Sequence, residues 1–229
     1  MKKFKNAPAQ VLIIISGVII VCTLMALVET VLQPGYLYKS LIKLVLFTSV
    51  PLIYALACKD PVIINLFHIR RKPLLRALAL GIGVYLFILA SYFLLGPYFD
   101  FSNVTKSLEK SVGVDRHSFL AVAIYISLIN SLLEEFFFRG FAFLTMKKLA
   151  SRRFSYLFSA STFSLYHVAI MSNWFSVILF LLLVFSLFIA GLIFNRLDEH
   201  SDSIYPSWIF HAFANLSINT IGLMLFGIL

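Results

Sequence analysis

Apolar residues fall in long blocks, 11–32, 41–58, 74–95, 119–147, 154–172, 174–195 and 204–227, parted by short segments that carry most of the charge. A helix that crosses a bilayer needs about 20 mostly apolar residues. The pattern predicts an all-α, polytopic integral membrane bundle of seven transmembrane helices. The count becomes eight if the block 119–147, interrupted by charge, is two pieces that part near Gly140. The block 41–58 is short for a span. The first block follows Lys2, Lys3 and Lys5, as a signal peptide would. Its apolar run exceeds the roughly 7–15 residues of a signal core and no A-x-A cleavage site follows, so it reads as a retained helix. No internal repeat or low-complexity tract divides the chain, which reads as a single domain over residues 1–229.

Composition agrees with this pattern. Hydrophobic residues make up 61% of the 229 and charged residues 13%, against roughly 45–50% and about 25% in soluble domains. A disordered chain, a coiled coil and a disulfide scaffold are excluded, and the two cysteines, Cys22 and Cys58, are too few for a thiolate metal site. The net charge of +9 suggests nucleic acid until the positions are read. The charges cluster at the ends of apolar blocks, as in membrane anchoring, so the expected partners are the lipid bilayer and a membrane-associated substrate, with no nucleic acid. Counting Lys and Arg on alternate sides puts the N-terminus in the cytoplasm. Clusters such as Arg70, Arg71, Lys72 and Arg76, or Lys147, Lys148, Arg152 and Arg153, then lie inside, with Lys59 and Arg196. Lys39, Lys43, Lys106, Lys110 and Arg116 lie outside.

Seven of the ten acidic residues, Asp60, Asp100, Glu109, Asp115, Asp198, Glu199 and Asp202, fall at loops or helix edges, and Glu29 is near enough to the end of its span to reach the interface. Glu134 and Glu135 lie deep in an apolar stretch, where one charge costs about 2.5–3.5 kcal/mol even on the lenient insertion scale. Glu135 and Arg139 stand at i and i+4, a pairing that neutralises one carboxylate in place. Glu134 is out of that register and needs another partner. Of the five histidines, His68, His117 and His200 read as surface residues, whereas His167 and His211 are inside apolar blocks. Glu134 is sixteen residues before position 150 and His167 seventeen after it, so across a helix hairpin both reach roughly 20 Å inward. His211 and Asn215, at i and i+4, share a face of the last helix. Three helices thus point Glu, His, His and Asn at one cytoplasm-facing cavity.

A carboxylate beside an imidazole suits activation of water, and a second imidazole with an amide suits stabilisation of an oxyanion, which together describe amide hydrolysis. The same Glu134, His167 and His211 are also candidate ligands for Zn²⁺, since two His and one Glu form a known catalytic set. Both readings stay open. Other intramembrane protease signatures are missing: there is no H-E-x-x-H, Gly81-Ile82-Gly83-Val84 lacks the Asp of a G-x-G-D motif, and no G-x-S-x-G elbow is present.

Taken in order, Glu134-Glu135-x-x-x-Arg139, Phe163-x-x-x-His167 and His211-x-x-x-Asn215 resemble the three motifs of the CPBP intramembrane proteases, the CAAX protease and bacteriocin-processing (Abi) family. The run Ser203 to Ala212 also looks like that family's approach to its third motif. The resemblance covers about residues 119–220. It implies an endopeptidase in which Glu134 and His167 activate water, His211 and Asn215 stabilise the oxyanion, Arg139 fixes the glutamate helix through Glu135, and Phe163 packs the site. The substrate would be a membrane-associated peptide or protein, and the small size points to a prokaryotic plasma membrane. Two rival readings are self-immunity to a bacteriocin by binding rather than cleavage, and a transporter or proton pathway built from the same buried groups.

Overall fold

A computed structural model of the chain describes residues 7–58, 65–109, 114–171 and 175–229. Lys2, Lys3, Lys5, Lys59, Asp60 and Lys110, and the block ends at 172 and 174, lie outside the described residues. Seven long helices correspond to the seven apolar blocks: α1 (Ala7–Leu27, prolonged by a π-wound turn Val28–Leu32), α2 (Tyr36–Cys58), α3 (Arg71–Leu95), α4 (Phe119–Thr145), α5 (Arg152–Met171), α6 (Val177–Glu199) and α7 (Tyr205–Leu225). A short helix, Ser102–Ser107, precedes α4, and no strand occurs among the described residues.

Six of the seven, all but α5, are long and apolar enough to cross a membrane. The exception has a physical basis. The inward face of α5 carries Ser155, Ser159, Ser164 and Tyr166, which are buried against its neighbours rather than exposed to lipid. Neighbouring helices supply their partners: Ser159 donates to the Phe138 carbonyl at 2.9 Å and Ser164 to the Val184 carbonyl at 2.6 Å. Elsewhere the outward faces are apolar, with Leu12 and Ile13 on α1, Leu86 and Phe87 on α3, and Ile178 and Phe185 on α6 all exposed. Such surfaces suit hydrocarbon, not water.

The α4 helix is the axis of the bundle. Every residue from Leu133 to Met146 is buried. It does not break at Gly140, and it is one helix rather than two pieces. What the charge interruption does instead is change the winding: Ile126–Asn130 and Glu135–Thr145 are π-helical, bonding five residues apart. The wider winding takes carbonyls out of ordinary register, as π-bulges at functional sites do. Side chains of α7 meet three of the carbonyls on this face: Trp208 Nε1 donates to Leu128 at 2.9 Å, Asn215 Nδ2 to Ile126 at 3.3 Å and Asn219 Nδ2 to Ala123 at 3.2 Å. The block predicted at 41–58 starts five residues earlier, at Tyr36, which brings Lys39 and Lys43 inside the helix.

Aromatic packing fixes α4 laterally. Phe137 stacks on Phe47 of α2 with centroids 4.3 Å apart, and Phe138 meets Phe163 of α5 edge-on at 5.4 Å. α5 and α6 approach closely because Gly191 faces Ala160; a Cβ at Gly191 would lie 2.9 Å from the Ala160 Cα. Small residues at such a crossing let backbones meet where no hydrophobic effect drives association. Asp198, expected at a helix edge, is fully buried. Its carboxylate accepts the Ser207 N–H at 2.9 Å and the Ser207 hydroxyl at 2.6 Å, tying the end of α6 to the start of α7. Glu199 beside it gathers Arg152 at 2.7 Å and Tyr156 at 2.6 Å.

Gly191→Leu forces the α5–α6 crossing apart, and overpacking of this kind costs about 1–3 kcal/mol. A lower midpoint of thermal unfolding in detergent is the expected result; an unchanged midpoint would show that the crossing is slack.

Candidate active site

The first turn of the α4 core half places two carboxylates side by side, and the fold sends them to different partners. Glu134, 2% exposed, accepts from Lys43 Nζ of α2 at 2.5 Å and from Asn130 Nδ2 at 3.0 Å, both through Oε1. Its other oxygen, Oε2, faces His167 Nε2 of α5 at 3.7 Å and His211 Nε2 of α7 at 3.8 Å. The structure therefore brings Glu134, His167 and His211 together around one oxygen, from three helices.

The ring orientations follow from the opposite nitrogens. His167 Nδ1 is 2.8 Å from the Phe163 carbonyl, which only accepts, so Nδ1 carries the hydrogen. His211 Nδ1 is 2.8 Å from Glu135 Oε1 and donates to that carboxylate. In the neutral rings, both Nε2 atoms then present lone pairs toward Glu134 Oε2. Three acceptors turned toward one another at 3.7–3.8 Å are too far apart to bond directly and call for a proton donor among them. A water molecule or a protonated ring supplies one. His167 is the most accessible of the three, with 16% of its side chain exposed.

Glu135 is fully buried and joins His211 to Arg139, whose Nε is 3.2 Å from Glu135 Oε2. The contact is one of charge: the alignment is not that of a hydrogen bond, and the guanidinium has no hydrogen-bond partner among the described residues. It is held instead between two aromatic faces, 4.0 Å from the Phe163 centroid and 4.7 Å from that of Phe194. Phe163 also meets His167 edge-on at 4.7 Å, and Phe194 stacks on His211 at 5.2 Å. Phe163 thus touches Arg139 and both imidazoles. Asn215 lies one turn beyond His211, half-buried, with one amide N–H on the Ile126 carbonyl.

Two residues in this cluster escaped the sequence reading. Lys43, counted among the charges of the outer side, is 6% exposed and is the partner that Glu134 lacked; Lys39, counted with it, is also buried and pairs with Glu29 at 2.8 Å. The signal was available, since Lys39 and Lys43 are one turn apart on a face whose next members are Phe47, Pro51 and Tyr54. Phe194 carried no signal beyond its apolar type.

Zinc ligation was the other chemistry open to Glu134, His167 and His211. Among the described residues no group of three His, Cys, Asp or Glu side chains has the geometry to hold a metal ion. The Lys43 ammonium beside Glu134 also places a fixed positive charge on the one carboxylate of that set, where it opposes a dication.

Residues 116–217 match the family model described as type II CAAX prenyl endopeptidase, Rce1-like. The matched span contains all three motifs and agrees with the resemblance drawn from them. Six apolar helices long enough to cross a membrane accompany this match, which covers the second half of the bundle. No curated protein and no solved structure matches the chain.

Arg139→Ala leaves Glu135 buried without its countercharge, a loss of about 3–5 kcal/mol in comparable pairs. The protein should accumulate poorly in membranes and elute as aggregate in gel filtration. Arg139→Lys keeps the charge but not the planar group between Phe163 and Phe194, and should restore yield only in part. An abundant, monodisperse Arg139→Ala protein would contradict both expectations.

Proposed function

We propose that the protein is an intramembrane endopeptidase that hydrolyses a peptide bond of a membrane-associated peptide or protein with water activated by Glu134 and His167. The observation that carries this reading is the meeting of Glu134 Oε2 with His167 Nε2 and His211 Nε2 at 3.7 and 3.8 Å within an apolar bundle. As the water oxygen adds to the scissile carbonyl carbon, Glu134 takes one of its protons and His167 Nε2 accepts a hydrogen bond from the other. Negative charge then develops on the former carbonyl oxygen. His211 in its doubly protonated form, with Glu135 balancing the charge at Nδ1, offers Nε2–H to it, and the second amide N–H of Asn215 is a further donor on the same helix face. Collapse of the tetrahedral adduct breaks the C–N bond, and the proton held by Glu134 leaves with the amine.

Glu135, Arg139 and Phe163 serve this chemistry by position. Arg139 holds Glu135, Glu135 holds His211, and Phe163 packs against both rings. The concentration of Lys147, Lys148, Arg152, Arg153 and Arg196 at the end of the bundle where α4 meets α5 and α6 meets α7 supports a cytoplasmic placement of that end and of the N-terminus. We assign the protein to a prokaryotic plasma membrane and its site to the cytoplasmic side.

Glu134→Gln should abolish cleavage in the folded, membrane-inserted protein, because Gln keeps the hydrogen-bonding shape but takes no proton; its yield should fall, since Lys43 loses its countercharge. Comparative proteomics of membrane peptides from cells with wild type or Glu134→Gln reads this directly; products that persist unchanged in the variant would remove Glu134 as the base. Dialysis against a strong chelator should leave activity within about twofold, since no step uses a metal. A loss restored by Zn²⁺ would replace the general-base assignment with metal catalysis.

A further inference from the structure

We infer that Lys43 is a positioning residue for Glu134: it anchors one carboxylate oxygen so that the other is aimed at the two histidines. The inference rests on the peptidase reading and extends it to a residue outside the three motifs. Lys43 lies on α2, which contributes nothing to those motifs.

The argument begins with the two oxygens of Glu134. A free glutamate has three rotatable bonds and places its oxygens interchangeably. Here Oε1 receives Lys43 Nζ at 2.5 Å and Asn130 Nδ2 at 3.0 Å, and Oε2 receives neither. The ammonium is itself fixed. One hydrogen goes to Glu134, a second to Asn130 Oδ1 at 2.6 Å, and the Phe47 and Tyr166 rings lie 5.1 and 5.0 Å from the nitrogen. Lys43, Asn130 and Glu134 thus close a triangle in which each member bonds the other two. A triangle of this kind sets the rotation of the carboxylate about its last bond, and Oε2 has one place left to point, between His167 and His211.

Charge neutralisation alone does not require this. Any cation near Glu134 would lower the cost of its insertion, without dividing the two oxygens between distinct partners. The neighbouring pair shows the contrast. Lys39, one turn earlier on α2, meets Glu29 at 2.8 Å rather than Glu134.

The test uses the full-length protein in lipid nanodiscs with a peptide that the wild type cleaves, and Glu134→Gln alongside. Lys43→Met should lower kcat about 100-fold, the penalty of a misaimed catalytic group, and leave KM within about threefold. Asn130→Ala keeps both charges and removes the amide that bonds Lys43 and Glu134, and should lower kcat at least about tenfold, the scale of a hydrogen bond to a charged group. Lys39→Met should retain wild-type kcat. If Lys43→Met fails to fold, Asn130→Ala decides alone. Folded Lys43→Met or Asn130→Ala protein with wild-type kcat would overturn the assignment, as would equal loss in Lys39→Met. Cleavage that survives Glu134→Gln would instead overturn the peptidase mechanism and leave the position of Lys43 without that purpose.

Discussion

Two adjacent carboxylates in the middle of an apolar bundle are the constraint around which this protein is built. Each ion in such surroundings costs several kcal/mol unless it is paired and hydrogen-bonded. Neighbouring residues of one helix cannot share a face, so Glu134 and Glu135 recruit different helices. Glu134 draws in α2 through Lys43 and faces α5 and α7 through His167 and His211; Glu135 draws in α7 through His211 and returns to α4 itself through Arg139. The packing of α2, α5 and α7 around α4 is therefore also a scheme of charge compensation. The proposed site and the assembly of the bundle use the same contacts.

The rest of the core conforms to that scheme. Trp208, Asn215 and Asn219 of α7 bond three carbonyls on one face of α4, at and beside its first π-wound stretch. Asn215 is thereby a structural donor at the same time as a candidate for the oxyanion. Below the glutamates the cations are accommodated by aromatic faces, with Arg139 between Phe163 and Phe194. An arginine without hydrogen bonds tolerates burial there because ring quadrupoles and the Glu135 charge replace water. Farther along, the buried Asp198 caps α7, and Glu199 binds the basic residues at the bundle end.

How far the site could be read from the chain depended on whether a residue's partners were near it along the helix or across the bundle. The spacing Glu135 to Arg139 gave a pair within one helix, and the two lie 3.2 Å apart. Equal distance from the basic turn put Glu134 and His167 at one depth, and their atoms are 3.7 Å apart. Lys43 failed the same treatment because charges were sorted by side of the membrane, a procedure that presumes every lysine is solvated. Its ammonium is surrounded by Glu134, Asn130, Phe47 and Tyr166 instead. Asp198 does lie at a helix end, but a position there does not show whether another helix covers it.

Hydropathy along the chain determines the helices, because hydrocarbon leaves the backbone no other partner than itself, and the three motifs contain the Glu134, His167 and His211 that meet across three helices. α5 marks the limit of that logic. Its serines, Tyr166 and His167 make it too polar to qualify as a span alone, and it is accommodated because α4 and α6 cover its polar face. What only the tertiary structure decided was the assignment of oxygens and nitrogens: which carboxylate oxygen faces the histidines, which imidazole nitrogen is tied back, and which lysine is the countercharge. Those choices depend on helix rotation and crossing, fixed by close contacts such as Gly191 on Ala160 and Phe47 on Phe137 between residues far apart in the chain.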